Sequence, residues 1–447
     1  MTRSELGRKA VHIGVGHFAL LLRWLTWPQA ALMAVGAFVF NWQVLPRLGG
    51  RGLWREHEHG RGHALGILLY PLSVLGVILL FRHELWMAAA VWGILAWGDG
   101  MASVVGQLAG GPRLPWNPKK GWMGTAAFVA FGTLGAAAFA AWTKGLPLLG
   151  DVRPGRALGV MALLALACAL VESLPTTLDD NLTVPLTAAV VLPLLVRADA
   201  QVLLGRPDLV KRLLLGLAIN AAIALLAFAA RSIDVGGALS AVVIGTAITA
   251  GLGLRGLAVM VAFFVIGTAA TKIGYRVKAA RGIAQEKGGA RGWRNAWANG
   301  GVPAVLALMA ALVPEPQALL FTVAYAAAVA TAAADTCSSE VGKAYGRRTF
   351  LITTLRPVPP GTEGAVSLEG TLGGMLGGFI VAAVGASLGL YSWPVAGLVG
   401  LAGLLGSLAE SVVGTVAERE GWMGNDALNA LNTAMGAGLA VLLVHLT

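Results

Sequence analysis

An apolar run of about 20 residues, long enough to cross a bilayer as a helix, recurs along this chain and leaves it few possible architectures. Ala10–Trp24, Trp27–Leu45, Ala64–Phe81, Leu85–Leu108, Gly121–Trp142, Ala157–Leu174 and Val184–Leu204 fill the first part. Leu213–Ala230, Gly236–Leu254, Leu257–Thr271, Gly301–Val313, Ala318–Ala334, Gly370–Leu390, Trp393–Val416 and Ala427–Leu446 fill the second. Hydrocarbon offers backbone groups no water, so segments of this kind span it as helices. The pattern predicts an all-α polytopic membrane protein of about 13–15 transmembrane helices. Charged residues make up only 12% of the chain, about half the share of a soluble enzyme, which excludes that class.

The net charge of +11 does not signal nucleic acid, because the Lys and Arg lie in loops between apolar runs. Arg3, Arg8 and Lys9 precede a segment that carries Arg23 and no small-residue cleavage site, so a retained first helix is expected rather than a signal peptide. Cys168 and Cys337 are too few for a zinc site or a disulfide framework. The loop Arg47–His63 brings together His57, His59 and His63, but a Gly-rich loop does not promise the converging geometry that a metal needs.

Asp99 is the residue most in need of explanation, since a carboxylate at membrane depth is costly and marks function. It heads Asp99–Gly110, in which positions 99, 102 or 103, 106 and 110 share one helical face of small residues. Small residues let helices pack closely; beside a carboxylate they also leave room for a polyanion and its metal. Asp335–Gly346 aligns with this stretch without a gap, with Asp, Ser, Val and two Gly at identical offsets, and 335 − 99 = 236.

Two further elements recur in the same order. Lys119, Lys120 and Gly121 lead into Gly124 and Thr125, and Ser367 and Glu369 lead into Gly370 and Thr371, with 370 − 124 = 246. Glu172 with Ser173 returns as Glu410 with Ser411, with 410 − 172 = 238. Asp180 and Asn181 then find their place taken by Asn425 and Asp426, with Asn429 and Asn432 beyond. Order kept across three motifs points to two related, duplicated halves. Free backbone N–H groups at the start of a helix suit phosphate, although no Walker A motif occurs. The second half also crowds Lys272, Arg276, Lys278, Arg281, Lys287, Arg291 and Arg294 into one loop ending at Asn295–Gly301. As a topology signal that is excessive, and it reads as a surface for several phosphates.

Arg8, Lys9 and His12, Gly98-Asp99 with Ala102, Lys119 through Thr125, Glu172-Ser173 and Asp180 through Pro185 resemble the polyprenol kinase family, and within it the phytol kinases. Gly237–Ala241, Asn295–Gly301, Ala334 through Gly342, Glu369-Gly370-Thr371 and the Asn429/Asn432 segment resemble an uncharacterised transmembrane family that includes phytyl-phosphate kinases. Met123 stands where dolichol-kinase-like members carry Glu, and Glu410 where Asp is usual, which keeps the carboxylate.

The resemblance implies a phytol kinase-like domain over 1–205 fused to a phytyl-phosphate kinase-like domain over 206–447. Together they would convert phytol, or a related isoprenoid alcohol, to the monophosphate and then the diphosphate, in salvage for tocopherol, quinone or prenyl lipid synthesis. CTP is the implied donor and Mg2+ the implied cofactor, held by one or two carboxylates plus substrate phosphates. Asp99, with Asp180 or Glu172, takes the metal and catalytic role in the first half; Asp335, with Glu410 or Asp426, takes it in the second. Phosphate contacts fall to Arg8, Lys9, Lys119, Lys120, Gly124 and Thr125, and then to Ser339, Lys343, Arg347, Arg348, Gly370, Thr371, Arg291 and Asn299. The partners implied are the isoprenoid substrates, a nucleoside triphosphate and the bilayer, without nucleic acid. The location expected is a bacterial inner membrane with the site loops facing the cytoplasm. Two readings compete: a lipid kinase or cytidylyltransferase acting on another lipid, and a secondary transporter built from repeats.

Overall fold

The computed structural model describes residues 3–48, 65–149, 154–175, 178–284, 290–417 and 424–446. The His-bearing loop and Lys287 lie outside the described residues. The chain forms two compact units that divide between Arg197 and Ala198, against the 205/206 limit read from the sequence.

Among the described residues eleven helices are long and apolar enough to cross a membrane, fewer than the 13–15 expected. Four changes turn the fifteen apolar runs into these eleven, one being Ala64–Phe81, whose helix Leu65–Leu80 is shorter than a full span. Ala10–Trp24 breaks into the end of α1 (Arg3–Gly16) and a tight 3-10 stretch His17–Arg23. The α-helical part of Trp27–Leu45 is only α2 (Trp27–Val39), which continues as a π-helical turn Phe40–Val44. Gly236–Leu254 and Leu257–Thr271 join as α11 (Val235–Lys272), kinked where Gly253 takes φ 67°.

In the first unit α3 (Leu65–Leu80) leads to one span built from α4 (Leu85–Gly93), a π-helical stretch Ile94–Asp99 and α5 (Gly100–Ala109). A two-stranded hairpin follows, β1 (Arg113–Leu114) and β2 (Asn117–Gly121), and then α6 (Trp122–Lys144), α7 (Pro154–Glu172) and α8 (Asp180–Arg197). The span Leu85–Ala109 is the innermost, 72% buried over its apolar window, and α6 packs along it. The packing is close because neither helix has a side chain at the crossing. A Cβ on Gly93 would come 2.5 Å from Gly135 O, and one on Gly135 would come 2.7 Å from Gly93 O.

In the second unit a short helix α9 (Ala200–Leu204) precedes α10 (Leu209–Ala229), α11, α12 (Tyr275–Ala280) and α13 (Trp293–Leu312). The long α14 (Gln317–Tyr345) is followed by a pair of two-residue strands, Phe350–Leu351 with Ala365–Val366. Then come α15 (Leu368–Ser387), α16 (Trp393–Ala417) and α17 (Asn425–Leu446). α14 is the core: α11, α13, α15, α16 and α17 all pack on it, and its Ala-rich segment Ala326–Ala334 lets them approach. It is 78% buried over its apolar window, more than any other span of this unit. The innermost helix of each unit is therefore the one that carries Asp99 or Asp335.

The glycine crossing gives a matched pair of variants. Gly135→Ala places a methyl against backbone and should cost about 1–3 kcal/mol. Gly36→Ala meets nothing within 4 Å and should leave stability equal or slightly raised, since Ala is the better helix former. Thermal unfolding of the detergent-solubilised chain, followed by tryptophan fluorescence, checks both.

Candidate functional site: a buried carboxylate cluster

Asp99 ends the π-helical stretch of its span and is 5% exposed. π turns inside α-helices are rare and recur at functional sites, where the extra residue re-aims a side chain. Lys9 Nζ donates to Asp99 Oδ2 at 2.9 Å, and His12 Nε2 stands 3.4 Å from the same oxygen. A carbonyl can only accept, so the 2.9 Å contact between His12 Nε2 and Leu95 O places the ring proton on Nε2. The spacing of Lys9 and His12 turns one face of α1 towards the carboxylate.

Glu172 closes α7 and Asp180 opens α8, with Glu172 buried and Asp180 half-exposed. The Lys120 ammonium bonds Glu172 and lies 3.2 Å from Asp180 Oδ2. Burial alone would lower the lysine's pKa, but the charges of Glu172 and Asp180 more than offset it and hold the pKa above the ordinary lysine value. With Glu172 and Asp180 ionised, the lysine's contribution to stability is fully present below the usual lysine value and is lost as pH rises through the elevated one. Carboxylate oxygens of Asp99, Glu172 and Asp180 all lie within 4.8 Å of one another. Such an all-oxygen trio has the donor chemistry for a hard divalent cation.

The hairpin delivers Lys120. Trp116 Nε1 donates to Ser173 Oγ at 3.1 Å, and Asn117 Nδ2 to Ser173 O at 3.0 Å, so the loop is fastened beside Glu172. Successive strand residues point to opposite sides: Lys120 turns inwards and Lys119 stays exposed. Asn181 sits next to the cluster, donating to Gly66 O at 3.2 Å, while its buried Oδ1 has no partner among the described residues.

In the second unit the arrangement differs. Asp335 is half-buried, and the charges that act on it belong to Lys343 and Glu363, the latter on the loop after α14. Glu410 and Asp426 do not join Asp335 in a trio of the first kind among the described residues. The buried ion pair is instead Lys278 with Glu340, 1% and 3% exposed, and Lys278 Nζ also donates to Thr271 O at 2.8 Å.

The basic loop is thus divided, not a single phosphate surface. Lys272, Arg276, Arg281 and Arg294 are exposed, while Lys278 is neutralised inside. The guanidinium of Arg291 lies over the ring of Phe263, 5.3 Å from its centroid. Burial pushes its pKa below the ordinary arginine value, against the opposing charge of Glu340. Asn299 is buried, with its amide donating to Asn295 O at 3.1 Å. Ser339, Arg347 and Arg348 are exposed, and Arg8 is half-exposed.

The small-residue faces are filled by neighbouring helices, not left open for a polyanion. A Cβ on Gly124 would meet Ala102 O at 3.0 Å, and one on Gly106 would meet Gly124 Cα at 3.2 Å. A Cβ on Gly370 would meet Ser338 O at 2.8 Å and Gly342 Cα at 3.2 Å, the same crossing in matching positions. The expected phosphate donors at these helix starts are partly engaged. Gly370 N–H donates to Ser367 Oγ at 3.1 Å and Thr371 N–H to Ser367 O at 2.8 Å. Thr125 Oγ1 donates to Gly121 O at 3.3 Å.

Sequence reasoning placed Lys9 and Lys120 on substrate phosphates and missed that both pair with carboxylates here. The signal lay in the chain: intramembrane acids demand cations, and these two stand at helix and hairpin positions that reach them. Glu340 was read only as part of the resemblance over Ala334 through Gly342 and given no role, and Glu363 was missed.

The family model described as integral membrane protein DUF92 matches residues 218–437. An uncharacterized membrane protein of Synechocystis sp. is 45% identical over 200 residues, covering 44% of this chain and 78% of that one. A phytol kinase of Synechocystis sp. is 34% identical over 203 residues, covering 43% and 79%. A chloroplastic farnesol kinase of Arabidopsis thaliana is 31% identical over 204 residues, covering 42% of this chain and 64% of that relative. No solved structure matches. With its membrane-spanning helices and this match across most of the second unit, the chain belongs to the integral membrane protein family DUF92.

Proposed function

We propose that this protein is an integral-membrane prenyl-alcohol kinase, and that its two units catalyse successive steps. The first would phosphorylate phytol or a related isoprenoid alcohol, and the second would convert the monophosphate to the diphosphate. The observation that carries this reading is the trio Asp99, Glu172 and Asp180, gathered within 4.8 Å and faced by Lys9 and Lys120. The names of the phytol kinase and farnesol kinase relatives support it.

Phosphoryl transfer needs positioning and neutralised charge more than covalent chemistry. Asp99, Glu172 and Asp180 would hold Mg2+, which when bound neutralises the donor phosphates. Asp180, the most open of the three, is placed to accept the proton that the alcohol must lose. Lys9 orients Asp99 through its hydrogen bond to Oδ2. Exposed Lys119 is free to meet the donor's phosphates, and CTP is the donor we propose.

In the second unit the acceptor is already an anion. Asp335 with Lys343 and Glu363 is the proposed site, and exposed Arg347 and Arg348 follow it in the chain. The matching crossings of Gly106 with Gly124 and of Gly342 with Gly370 support descent of both units from one duplicated ancestor. The site loops are placed on the cytoplasmic side of a bacterial inner membrane, where nucleoside triphosphates are supplied.

Purified full chain supplied with phytol, farnesol or geranylgeraniol and each labelled nucleoside triphosphate should yield prenyl monophosphate and diphosphate, identified by mass. No transfer to any alcohol from any nucleotide sinks the reading. Asp99→Asn should cut alcohol phosphorylation about a hundredfold or more, and Lys9→Met about 10–100-fold through the orientation of Asp99. Asp99→Asn should still convert the monophosphate, whereas Asp335→Asn should show the reverse pattern. Equal loss of both steps in either variant would mean one shared site.

A further inference from the structure

The second unit contains a cavity of about 110 Å3 walled by α10, α11 and the start of α13. Most of its lining is hydrocarbon, including Ala224, Ala227, Leu257 and Phe264. Its polar groups are few, and three of them, Arg291, Asn295 and Asn299, follow one another at four-residue spacing along one edge. The backbone holds Arg291 in place: its N–H donates to Ser232 O at 3.0 Å and its carbonyl accepts from Asp234 N–H at 3.1 Å.

Two of these groups lack partners. The Arg291 guanidinium has no hydrogen bond or ion pair among the described residues, only the faces of Phe263 and Phe264. Glu340, the carboxylate whose charge reaches it, is already bonded to Lys278. Asn295 Oδ1 is buried without a partner among the described residues. A charge or amide left in this way inside a protein is expensive unless something fills the gap. Gly267 makes room for the guanidinium, since a Cβ there would stand 2.5 Å from Arg291 Nη2. The same Cβ would stand 3.4 Å from Thr336 Cγ2, so the cation borders the turn that carries Asp335.

One unpaired cation at the edge of an apolar cavity fits an amphiphile with a single anionic head and a hydrocarbon chain. We propose that this cavity seats the head-proximal isoprene units of a single-chain prenyl monophosphate, with its phosphate oxygens on the Arg291 guanidinium and its remaining P–OH donating to Asn295 Oδ1. The proposal rests on the reading of the second unit as a prenyl-phosphate kinase, and it names where that acceptor lies. Arginine presents a planar fork of donors that matches two phosphate oxygens, which lysine does not reproduce.

The test uses the full chain in detergent with phytyl monophosphate carrying a diazirine on its first isoprene units. Irradiation should label peptides spanning 220–245 or 257–267, and labelling confined to other peptides overturns the assignment. Ala241→Trp, which fills the cavity, should weaken phytyl monophosphate binding at least tenfold while leaving inorganic phosphate binding nearly unchanged. Arg291→Gln should weaken both at least tenfold, and Arg291→Lys should recover only part. Unfolding midpoints identify variants that merely misfold, and the wild-type labelling stands without them. Wild-type affinity in both folded variants overturns the proposal, as does competition by dioleoyl phosphatidate equal to that by phytyl monophosphate, which would make this a membrane-lipid site. Diphosphate formation with labelling elsewhere removes the cavity and keeps the kinase; labelling in the cavity without phosphoryl transfer keeps the cavity and removes the second-step reading.

Discussion

Lys9 on Asp99 and Lys120 on Glu172 and Asp180 are the contacts on which the first unit depends. Three carboxylates crowded out of water repel one another and cannot all stay ionised without nearby cations. Removing one partner of a buried ion pair typically costs about 3–5 kcal/mol, because the other charge is stranded. The ends of α1, α5, α7 and α8 and the hairpin are thus tied to one small volume by charge. Apolar packing alone could not do this in a bilayer, where lipid tails are as apolar as leucine.

Much of this was legible in the sequence, and the limits have physical causes. The spans were readable because hydrocarbon imposes length and hydropathy on every crossing segment. Asp99 was readable because an acid in such a segment has no bland use, and its grouping with Glu172 and Asp180 was what the family resemblance implied. The partners were harder to see. A lysine beside Gly and Thr has the same local pattern whether it meets a phosphate or a carboxylate, and only the hairpin's anchorage on Ser173 separates the two. The small-residue faces were ambiguous for a similar reason, since room for a helix and room for a ligand look alike in one dimension. In the second unit Glu340 was legible only as part of a family resemblance, yet its pair with Lys278 makes the basic loop partly internal.

The two units share a way of packing and differ in charge. Each sets its Asp on its innermost helix, and each lets the next helix close in through glycines at matching positions. The first unit then gathers acids at the ends of its helices, while the second pairs Lys278 with Glu340 inside and lays Arg291 over Phe263. The acids of the first unit lie together, whereas the acids of the second are dispersed among separate cations.

The hairpin has one more consequence. Lys119 and Lys120 are neighbours on a strand, and neighbours on a strand face opposite ways, so alignment decides which lysine enters the cluster. Asn117 sets that alignment by holding Ser173 O with its side-chain amide while its Oδ1 accepts from Lys119 N–H at 3.1 Å. A slip of one residue would exchange the two ammonium groups, leaving the net charge of the loop untouched while aiming the wrong lysine at Glu172. The loop therefore works as a reading frame for charge, in which phase matters more than the number of basic residues.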